Sequence, residues 1–379
     1  MINAGLTLDT ITSAHEFDAL AGEWDVLVRA MPRPSPFMVH GWLSTWWRYY
    51  GAGAELTVHV ARSGERLVAA VPLFVRPRGG LRVARFLGGD QSALADMLVA
   101  PGAPADTPHR LADHVAAGEQ DFADLFGMPR DSRLAAALGP SRLRLLERVE
   151  SPILDISDGW GAAYRAKTTS KKRNFHQRRR RQLSELGKIE IDVARREEEL
   201  VPALQEAFRL HRLRWEGRPD GSRFATPVGV EFHTAAIRAL SRLEMPRIVT
   251  LKLDGKAIAF HYYFAFCERM YVHRLAFDPQ YARCSPGLVN TLDALESASG
   301  EGLKLVEFLG ADERYKVELA DRFEPMHQGF GVAGTLGGRA AAAALLRAVQ
   351  LRRTLKRTPG VQRLYSKGMM GVTRILPRS

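Results

Sequence analysis

The sequence predicts an α/β protein with mixed sheets, and three observations lead to this prediction. The chain has 379 residues, more than one typical hydrophobic core organises, so two domains with additional segments are expected. Strand-like patterns fill much of both halves and turn at Gly-containing points. In the second half, a three-strand pattern gives way to a helical period and then to one more strand. We place the domains at 1–155 and 156–330, followed by a basic helical tail at 331–379.

The composition is that of an ordinary globular protein. Hydrophobic residues make up 46% of the chain and charged residues 25%, as in typical globular domains. No run of about 18 apolar residues indicates a membrane-spanning helix, and the N-terminal segment lacks the pattern of a secretory signal. Cys267 and Cys284 do not have the spacing of a metal site or a disulfide framework. We therefore expect a cytoplasmic protein without a bound metal.

The positive charge is concentrated in the C-terminal tail. The formal net charge is +12, and no acidic residue follows Glu324. Lysines and arginines beyond that point account for most of the excess, so the body is only mildly basic and nucleic-acid binding is disfavoured. The tail sequence "GGRAAAAALLRAVQLRRTLKRTPG" combines an apolar helical face with many arginines. Two interpretations stay open: a helix on an anionic membrane surface, and a helix docked on the protein.

The first half begins with a strand, "LTLDTI", and continues with an amphipathic helix around residues 17–27. Strands then run through "ELTVHVARSGERLVAAVPLFVRPRGGLRVARFLGG", with turns at Ser63-Gly64 and Gly79-Gly80. Residues 101–150 have no clear pattern, and "LRLLERVESPILDI" closes the half. We expect most of the early tryptophans in the core rather than stacked on a sugar; they are Trp24, Trp42, Trp46 and Trp47.

The second half begins with a basic helix from Tyr164 to Leu186, which Gly187 ends. A strand, "KIEIDVA", and two helices precede a meander of three strands. The first turn of the meander is Asp254-Gly255, a good hairpin pair, and the second is Glu268-Arg269. The strand "MYVHRLAF" then leads to the helix "SPGLVNTLDALESASGEG" and the strand "LKLVEFLG".

This last strand–helix–strand unit brings two loops to one edge of the sheet. Its strands are expected to be parallel and joined by a right-handed crossover, so both end at the same edge. The loops "DPQYARCSPG" (278–287) and "GADERYK" (310–316) then face one crevice, where open α/β sheets bind ligands. The dense ionisable group in the second loop indicates either a reactive site or a solvated loop.

The start of the helix between these loops has the features of an anion site. Ser285 suits the cap, Pro286 suits the first helical position, and Gly287 allows close approach to the backbone. The amides of Gly287, Leu288 and Val289 are then available to a phosphate or pyrophosphate. The same residues also describe an ordinary well-capped helix.

The order and wording of these segments resemble the GNAT N-acyltransferases. They look most like the CelD/BcsL branch, which is associated with cellulose and exopolysaccharide biosynthesis. The resemblance covers roughly 15–100 and 160–330, through "HGWLSTWW", "VAAVPLF", "RFLGG", "FHYYF", "YVHRLAFDPQYARCSPG" and "VEFLGADERYK". It implies two tandem GNAT-like domains, as in the related Fem-type aminoacyl transferases. The chain departs from the usual pyrophosphate loop, Q/R-x-x-G-x-G/A, because "RCSPG" stands in its place.

The resemblance implies an acyltransferase that uses acetyl-CoA or another acyl-CoA and acylates an amine or hydroxyl of a sugar or polysaccharide precursor. Two alternatives stay open: a Fem-type transferase that uses aminoacyl-tRNA, and a non-catalytic scaffold for polysaccharide biosynthesis. We predict that the acyl-CoA contacts Phe277, Ser285, Pro286, Gly287 and Leu288.

Acyl transfer needs a base for the attacking group and a donor or cation for the developing negative charge. Asp312, at the end of the strand, is the predicted base, although it also fits a loop cap or a partner of Lys316. Lys316 fits phosphate binding or charge stabilisation, and the Fem-type relatives favour a role in transfer. Tyr315 fits donation to the leaving thiolate or simple packing.

His261 and His273, on neighbouring strands, are the remaining catalytic candidates. With a turn at Glu268-Arg269, His261 lies opposite Ala276, and His273 lies opposite Phe264. Only one histidine then faces the acyl group, unless a bulge shifts the register. One face would carry Tyr271, His273 and Leu275, and the other would carry His261 and Arg274.

The segment "SKKRNFHQRRRRQL" invites a nucleic-acid interpretation. Helix residues advance by about 100° each, so the four arginines 178–181 point around the whole helix and at most two line one groove. We therefore favour a solvated helix held by Phe175, Leu183 and Leu186, and keep tRNA as the second interpretation.

Overall fold

Both halves of the chain contribute to one mixed sheet. The computed structural model describes residues 5–217, 222, 224–310 and 313–357, with side chains to residue 351. Its strands are β1 (Leu6–Ile11), β2 (Glu55–Ser63), β3 (Arg66–Arg78), β4 (Leu81–Phe86), β5 (Leu98–Val99), β6 (Phe122–Pro129), β7 (Leu143–Asp155), β8 (Ile189–Ala194), β9 (Pro246–Leu253), β10 (Lys256–Phe266), β11 (Arg269–Phe277), β12 (Leu305–Glu307) and β13 (Arg322–Gly331).

Helices cover both faces of this sheet, which confirms the predicted α/β class. None of the helices among the described residues is long and apolar enough to cross a membrane. The helices are α1 (Ala14–Ala19), α2 (Ala21–Arg29), α3 (His40–Tyr50), α4 (Thr107–Ala116), α5 (Arg133–Leu138), α6 (Trp160–Lys167), α7 (Ser170–Ser184), α8 (Glu197–Trp215), α9 (Pro227–Ser241), α10 (Pro286–Gly300), α11 (Arg314–Leu319) and α12 (Leu336–Arg357).

The order of strands interlocks the two halves. The sheet runs β1-β2-β3-β4-β6-β13-β7-β12-β11-β10-β9-β8, and β5 pairs with β3. Strand β13 follows the second half in the chain, yet it lies between β6 and β7 and pairs antiparallel with both. The domain boundaries at 155 and 330 stay a prediction. Strand β13 belongs by sequence to the second predicted domain, but it pairs with strands of the first.

Each half repeats one unit: an antiparallel meander, a helix and a parallel strand. In the N-terminal half the unit is β2–β3–β4, α4 and β6, with β4 parallel to β6. In the C-terminal half it is β9–β10–β11, α10 and β12, with β11 parallel to β12. The predicted parallel pair with its crossover helix is therefore confirmed.

Aromatic side chains fill the core and join the two halves. Trp24 and Trp42 are fully buried, as predicted, and the Trp24 indole N–H donates to the Met38 carbonyl at 2.7 Å. The Trp42 ring packs edge-on against Phe264 of the other half, with 5.6 Å between the ring centroids. The Tyr271 hydroxyl donates across the same boundary to the Pro34 carbonyl. These contacts bury apolar area from both halves in one core.

A buried ion cluster adds a second connection between the halves. Glu307, at the end of β12, has no exposed side-chain surface. Its carboxylate accepts from Arg33 Nε at 2.9 Å and from Arg269 Nη1 at 3.0 Å. Arg33 also pairs with Glu324 at 3.1 Å. Because two guanidinium groups surround the carboxylate, its desolvation is compensated.

Two predicted elements differ from the structure. The second meander turn is Cys267-Glu268, one residue earlier than predicted, and both residues have positive φ, as a two-residue type I′ turn requires. The predicted basic helix is two helices, α6 and α7, because Thr168 is extended and Thr169 caps α7 through Lys172 N–H.

Candidate active site

A cavity opens where β11 and β12 diverge. The two strands pair from Arg269↔Leu305 to Tyr271↔Glu307; β12 then ends, while β11 continues to Phe277. The divergence leaves a cavity of about 330 Å³, which we call the splay cavity. It lies at the crevice that the parallel arrangement predicts. Its walls include His211, Trp215, His273, Arg274, Leu275 and Lys316.

A β-bulge determines which histidine reaches the splay cavity. Tyr262 pairs with Arg274 while Tyr263 pairs with Val272, so His273 is an extra residue of β11. The extra residue turns His273 and Arg274 to one face of the sheet. The predicted pairing of faces is therefore wrong: Arg274 does not share a face with His261, and His273 does not share one with Leu275.

Contacts on the two faces confirm this arrangement. The His273 ring lies 5.2 Å from Phe264, and the Arg274 guanidinium lies 6.0 Å over Phe224, both rings belonging to one core cluster. His261 pairs with Leu275 on the opposite face, and Leu275 packs in a different cluster. His273 lines the splay cavity, and His261 does not.

His273 is buried and uncharged. Only 8% of the residue is exposed, and Nε2 has no hydrogen-bond partner among the described residues. Burial lowers the pKa of His273 well below its usual value, and the positive charge of Arg274 and the nearby His233 lower it further. The His233 ring lies 5.3 Å away. The Nε2 atom is thus a buried nitrogen without a partner in the described part of the chain, and its residue lines the cavity.

Lys316 is held by a short helix. The predicted loop "GADERYK" becomes helical at Arg314, so α11 fixes the position of Lys316. The Lys316 residue is 7% exposed; its ammonium donates to the Leu309 carbonyl at 3.2 Å and pairs with Glu313 at 2.9 Å. Burial lowers the pKa of His261 to about 3, and the charge of Lys316 acts in the same direction. Asp312 lies outside the described residues.

Tyr315 lies on the same helix and packs against the hydrophobic core. Its ring lies edge-on to Phe308, with 6.2 Å between the centroids. Burial raises the pKa of the Tyr315 hydroxyl, and Glu313 raises it further. The contact with Phe308 corresponds to the packing interpretation of this tyrosine.

The start of α10 is built differently from our prediction. Ser285 adopts the left-handed region with φ of 52°, and its side chain makes no cap hydrogen bond. The Ser285 carbonyl instead accepts from the amides of Leu288 at 3.1 Å and Val289 at 3.2 Å. Of the three amides predicted to bind an anion, this leaves Gly287 for a ligand. Ser285 therefore occupies the predicted cap position without a side-chain hydrogen bond, and two of the three predicted amide donors are already paired.

The predicted cofactor contacts nevertheless lie together at this helix start. A Cβ atom added to Gly287 would lie 2.8 Å from the Phe277 ring, so only glycine fits there without a shift. The Arg214 guanidinium lies over the Phe277 ring, 5.0 Å from the ring centroid. Arg179 donates to the Arg283 carbonyl at 2.6 Å, which brings a second guanidinium near.

Two cavity residues on α8 were not predicted from the sequence. The His211 ring stacks on Trp215, with 5.7 Å between the centroids, and His211 Nδ1 lies 2.7 Å from Ser222 Oγ. Burial lowers the pKa of His211 to about 4, and Arg274 adds to the effect. Their i, i+4 spacing places both on one helical face and is the signal that could have identified them. Residues 90–93 of the N-terminal half also line the cavity, and no local pattern indicates this.

The arginines of α7 do not form an open phosphate track. Arg180 pairs with Asp293 at 2.5 Å, and Arg181 pairs with Glu185 at 3.6 Å. Arg178 and Arg179 lie over the Phe175 ring. Leu183 is buried as predicted, but Leu186 is 54% exposed, and His176 takes its place in the core.

A family comparison identifies the C-terminal unit. Residues 170–317 match the model of the acetyltransferase (GNAT) domain. This range contains the meander, α10, β12 and Lys316. The C-terminal half therefore carries a GNAT-type acyltransferase domain. No sequence among curated proteins matches the chain significantly, so the CelD/BcsL branch stays a resemblance.

Solved structures share the fold over most of the chain. FemX has a TM-score of 0.59 and 9% identity, covering 85% of this chain and 96% of its own. The C-terminal domain of a candidate lysylphosphatidylglycerol synthetase from Agrobacterium fabrum has a TM-score of 0.55 and 14% identity, covering 89% and 97%. L-PGS from Bacillus licheniformis has a TM-score of 0.51 and 12% identity, covering 88% and 97%. Similarity at these identities concerns the fold.

Proposed function

We propose that the chain transfers an acyl group from a coenzyme A thioester to an amine or hydroxyl of a sugar or polysaccharide precursor. The observation that carries the proposal is the splay cavity, which lies at the diverging ends of the two parallel strands of the GNAT-type domain. His273 and Lys316 both line it. The stacked rings of His211 and Trp215 support a saccharide acceptor, because small-molecule pockets combine aromatic walls with a few polar groups.

The start of α10 fits the diphosphate of coenzyme A. The Gly287 amide is not taken up by the Ser285 carbonyl, and the helix dipole adds positive potential at this end. The missing Cβ of Gly287 lets the Phe277 ring pack directly against the backbone of this turn. Arg214 supplies a positive charge over the same ring. One amide and one guanidinium replace the several amides of the usual pyrophosphate loop.

The cavity residues then take complementary roles. The nucleophile forms a bond to the acyl carbon, and the bond from that carbon to sulfur breaks. His273 Nε2 accepts the proton of the attacking amine or hydroxyl, because burial keeps the imidazole neutral. Lys316 stabilises the negative charge that develops on the acyl oxygen. Asp312 stays a predicted base, and Tyr315 stays a predicted donor to the thiolate.

Two alternatives remain: a different acyl donor, and a protein that catalyses no reaction. FemX shares this fold, so an aminoacyl-tRNA donor is the second candidate. The third is a non-catalytic scaffold for polysaccharide biosynthesis, in which the splay cavity binds no acyl-CoA. Each alternative predicts a different result in the same titration.

Calorimetric titration with acetyl-CoA and longer acyl-CoAs tests the proposal. The variants are Gly287→Glu and, as the matched control, Gly300→Glu at the exposed end of the same helix, where an added Cβ meets nothing within 4 Å. We expect saturable binding by the wild type and by Gly300→Glu. Binding by Gly287→Glu should fall at least 100-fold, because the new side chain displaces the Phe277 ring and its carboxylate repels the diphosphate. Arg214→Gln is the second variant if Gly287→Glu is unstable, and it should bind about 10-fold more weakly.

Binding is followed by thiol release with amino sugars and other saccharides as acceptors. Release that depends on the acceptor supports transfer. If no acyl-CoA binds the wild type, the proposal is wrong, and aminoacyl-tRNA is titrated next at several salt concentrations, since a tRNA complex weakens steeply with salt. Binding without release to any acceptor would favour the scaffold.

A further inference from the structure

A second cavity lies on the same sheet, and strands β7 and β13 contribute different residues to it and to the splay cavity. It has a volume of about 740 Å³ and is bounded by α12, the end of β13 and the start of β7. It shares none of its wall residues with the splay cavity. We call it the arginine groove, because four arginines line it: Arg142, Arg144, Arg339 and Arg347.

The fold explains why these arginines converge. Arg144 lies opposite Phe330 in the β7–β13 register, so both side chains share one face of the sheet. Arg339 and Arg347 are eight residues apart on α12, which places them about 80° apart around the helix axis, and both line the groove. The strand pair and the helix therefore present guanidinium groups from opposite walls.

Acidic residues compensate little of this charge. Arg142 pairs with Asp113. Within the part of the chain that the structure describes, no carboxylate comes within ion-pair distance of Arg144, Arg339 or Arg347. Like charges that face one groove repel each other, so an anion between them is favourable. Guanidinium groups in particular match the oxygens of a phosphate.

Helix α12 also carries two exposed apolar side chains outside the wall of the arginine groove. Leu336 is 82% exposed and Leu351 is 60% exposed, although both are large and apolar. At 100° per residue, these leucines fall with Arg339 and Arg347 in an arc of about 120° on α12. One side of the helix therefore combines exposed leucines with arginines, as in helices that lie at a lipid interface.

We propose that the arginine groove binds the phosphate headgroup of an anionic phospholipid and thereby seats α12 on a membrane surface. The groove supplies the guanidinium groups for the phosphate, and the exposed leucines face the boundary of the acyl chains. This site is separate from the proposed reaction and does not depend on it.

Flotation of the full chain with vesicles tests the proposal. Phosphatidylglycerol mixed with phosphatidylcholine is compared with phosphatidylcholine alone, and glycerol 3-phosphate is titrated as the soluble phosphate. The groove variant is Arg144→Gln/Arg339→Gln/Arg347→Gln. Its control removes the same charge at three exposed arginines elsewhere, in Arg48→Gln/Arg66→Gln/Arg130→Gln.

The wild type and the control should float with phosphatidylglycerol vesicles and stay behind with phosphatidylcholine. The groove variant should partition about 100-fold more weakly, because each arginine near an anionic surface contributes about a factor of five. Three results would overturn the proposal: no flotation of the wild type, equal losses in both triple variants, or binding of glycerol 3-phosphate without any binding of vesicles. Thermal unfolding of both variants confirms that the fold is intact.

Discussion

The two halves of the molecule repeat one unit, but the parallel strands of the two units end differently, and the splay cavity lies beside the pair in the C-terminal unit. In the N-terminal half, β6 runs from Phe122 to Pro129 and continues alongside β13 beyond its contact with β4. In the C-terminal half, β12 stops at Glu307, after three residues. The early end of β12 removes the neighbour of β11, and the space becomes the splay cavity.

The segment after β4 shows how the same space closes in the N-terminal half. Residues 87–106 connect β4 to α4, while residues 278–285 suffice between β11 and α10. The longer segment folds back onto the sheet, where Leu87 N–H donates to Pro72 and Ala95 N–H donates to Gly127. Gly127 has a φ of 87°, and a Cβ there would lie 2.7 Å from the Ala93 carbonyl. A close backbone contact therefore holds the segment beside β6.

That segment also serves the other half. Residues 90–93 line the splay cavity, and Gln91 accepts a hydrogen bond from Arg274 at 3.1 Å. The N-terminal unit thus contributes a wall to the site of its partner. The comparison indicates that the repeated unit supplies a framework, and that strand length and loop length decide which copy carries a cavity.

The largest expected effect is on kcat, and it compares a histidine of the splay cavity with a buried histidine of the N-terminal half. In His273→Gln, kcat should fall by a factor of about 10² to 10⁴, because the acceptor of the proton is lost. The calorimetric Kd for acyl-CoA should stay unchanged, since His273 lies away from the start of α10. In His59→Gln, kcat should stay within about twofold of the wild type. Thiol release with the identified acceptor measures both.

Equal losses of kcat in the two histidine variants would show that His273 acts through the stability of the fold. Unchanged activity of a folded His273→Gln variant would show that His273 is not the base, which leaves Asp312 as the predicted base. Both variants are therefore measured with their thermal unfolding midpoints.

The next effect contrasts two bidentate ion pairs. Glu307 is fully buried between Arg33 and Arg269, whereas Glu55 is 52% exposed and accepts from Arg82 at 3.0 and 2.9 Å. Glu307→Ala should lower the free energy of unfolding by about 3–5 kcal/mol, because it removes the buried carboxylate that the guanidinium groups of Arg33 and Arg269 share. Glu55→Ala should lower it by about 0–1 kcal/mol, because water solvates its partner. Urea unfolding gives both values.

If Glu307→Ala lowers the free energy of unfolding by less than about 1 kcal/mol, a second carboxylate compensates the charge of Arg33. Glu324 is the available carboxylate, at 3.1 Å. The double variant Glu307→Ala/Glu324→Ala would then show the missing destabilisation, and a small loss there would contradict the role of the cluster.

The sequence predicted the framework because its signals are local. The apolar and aromatic run "KAIAFHYYFAFC", the change to a helical period after Ser285 and the glycines at the end of α10 are each recognised within a few residues. Parallel pairing followed from the order strand–helix–strand. The predicted crevice and the position of Lys316 at its edge depend on these signals alone.

The remainder of the site depends on features without a local signal. The bulge at His273 shifts the pairing of β11 with β10, and the hydrophobic pattern of the sequence gives no sign of it. Ser285 takes a left-handed conformation that residue type alone does not favour. The pairing of Arg33 with Glu307 and the wall formed by residues 90–93 join positions far apart in the chain. Such contacts are set by packing in three dimensions, which a single sequence does not display.

The smallest expected effect concerns buried neutral histidines and pH. Burial lowers the pKa of His261 to about 3 and the pKa of His59 to about 4, whereas an unfolded histidine titrates near 6.5. Below pH 6.5 the unfolded chain therefore binds protons that the folded chain excludes, and stability falls as the pH falls towards those lower values. Each histidine should cost about 2 kcal/mol between pH 7.5 and pH 5.

Replacement by leucine sharpens the comparison between the halves. His261→Leu and His59→Leu should each flatten the pH dependence of unfolding by about one proton at pH 5. At pH 7.5 they should differ. His59 Nδ1 hydrogen-bonds Thr10 Oγ1 at 3.1 Å, so His59→Leu should lose about 1 kcal/mol there. Neither ring nitrogen of His261 has a partner among the described residues, so His261→Leu should lose nothing at pH 7.5. Urea unfolding at both pH values measures the four differences, and an unchanged slope in His261→Leu would show that this histidine is protonated in the folded protein.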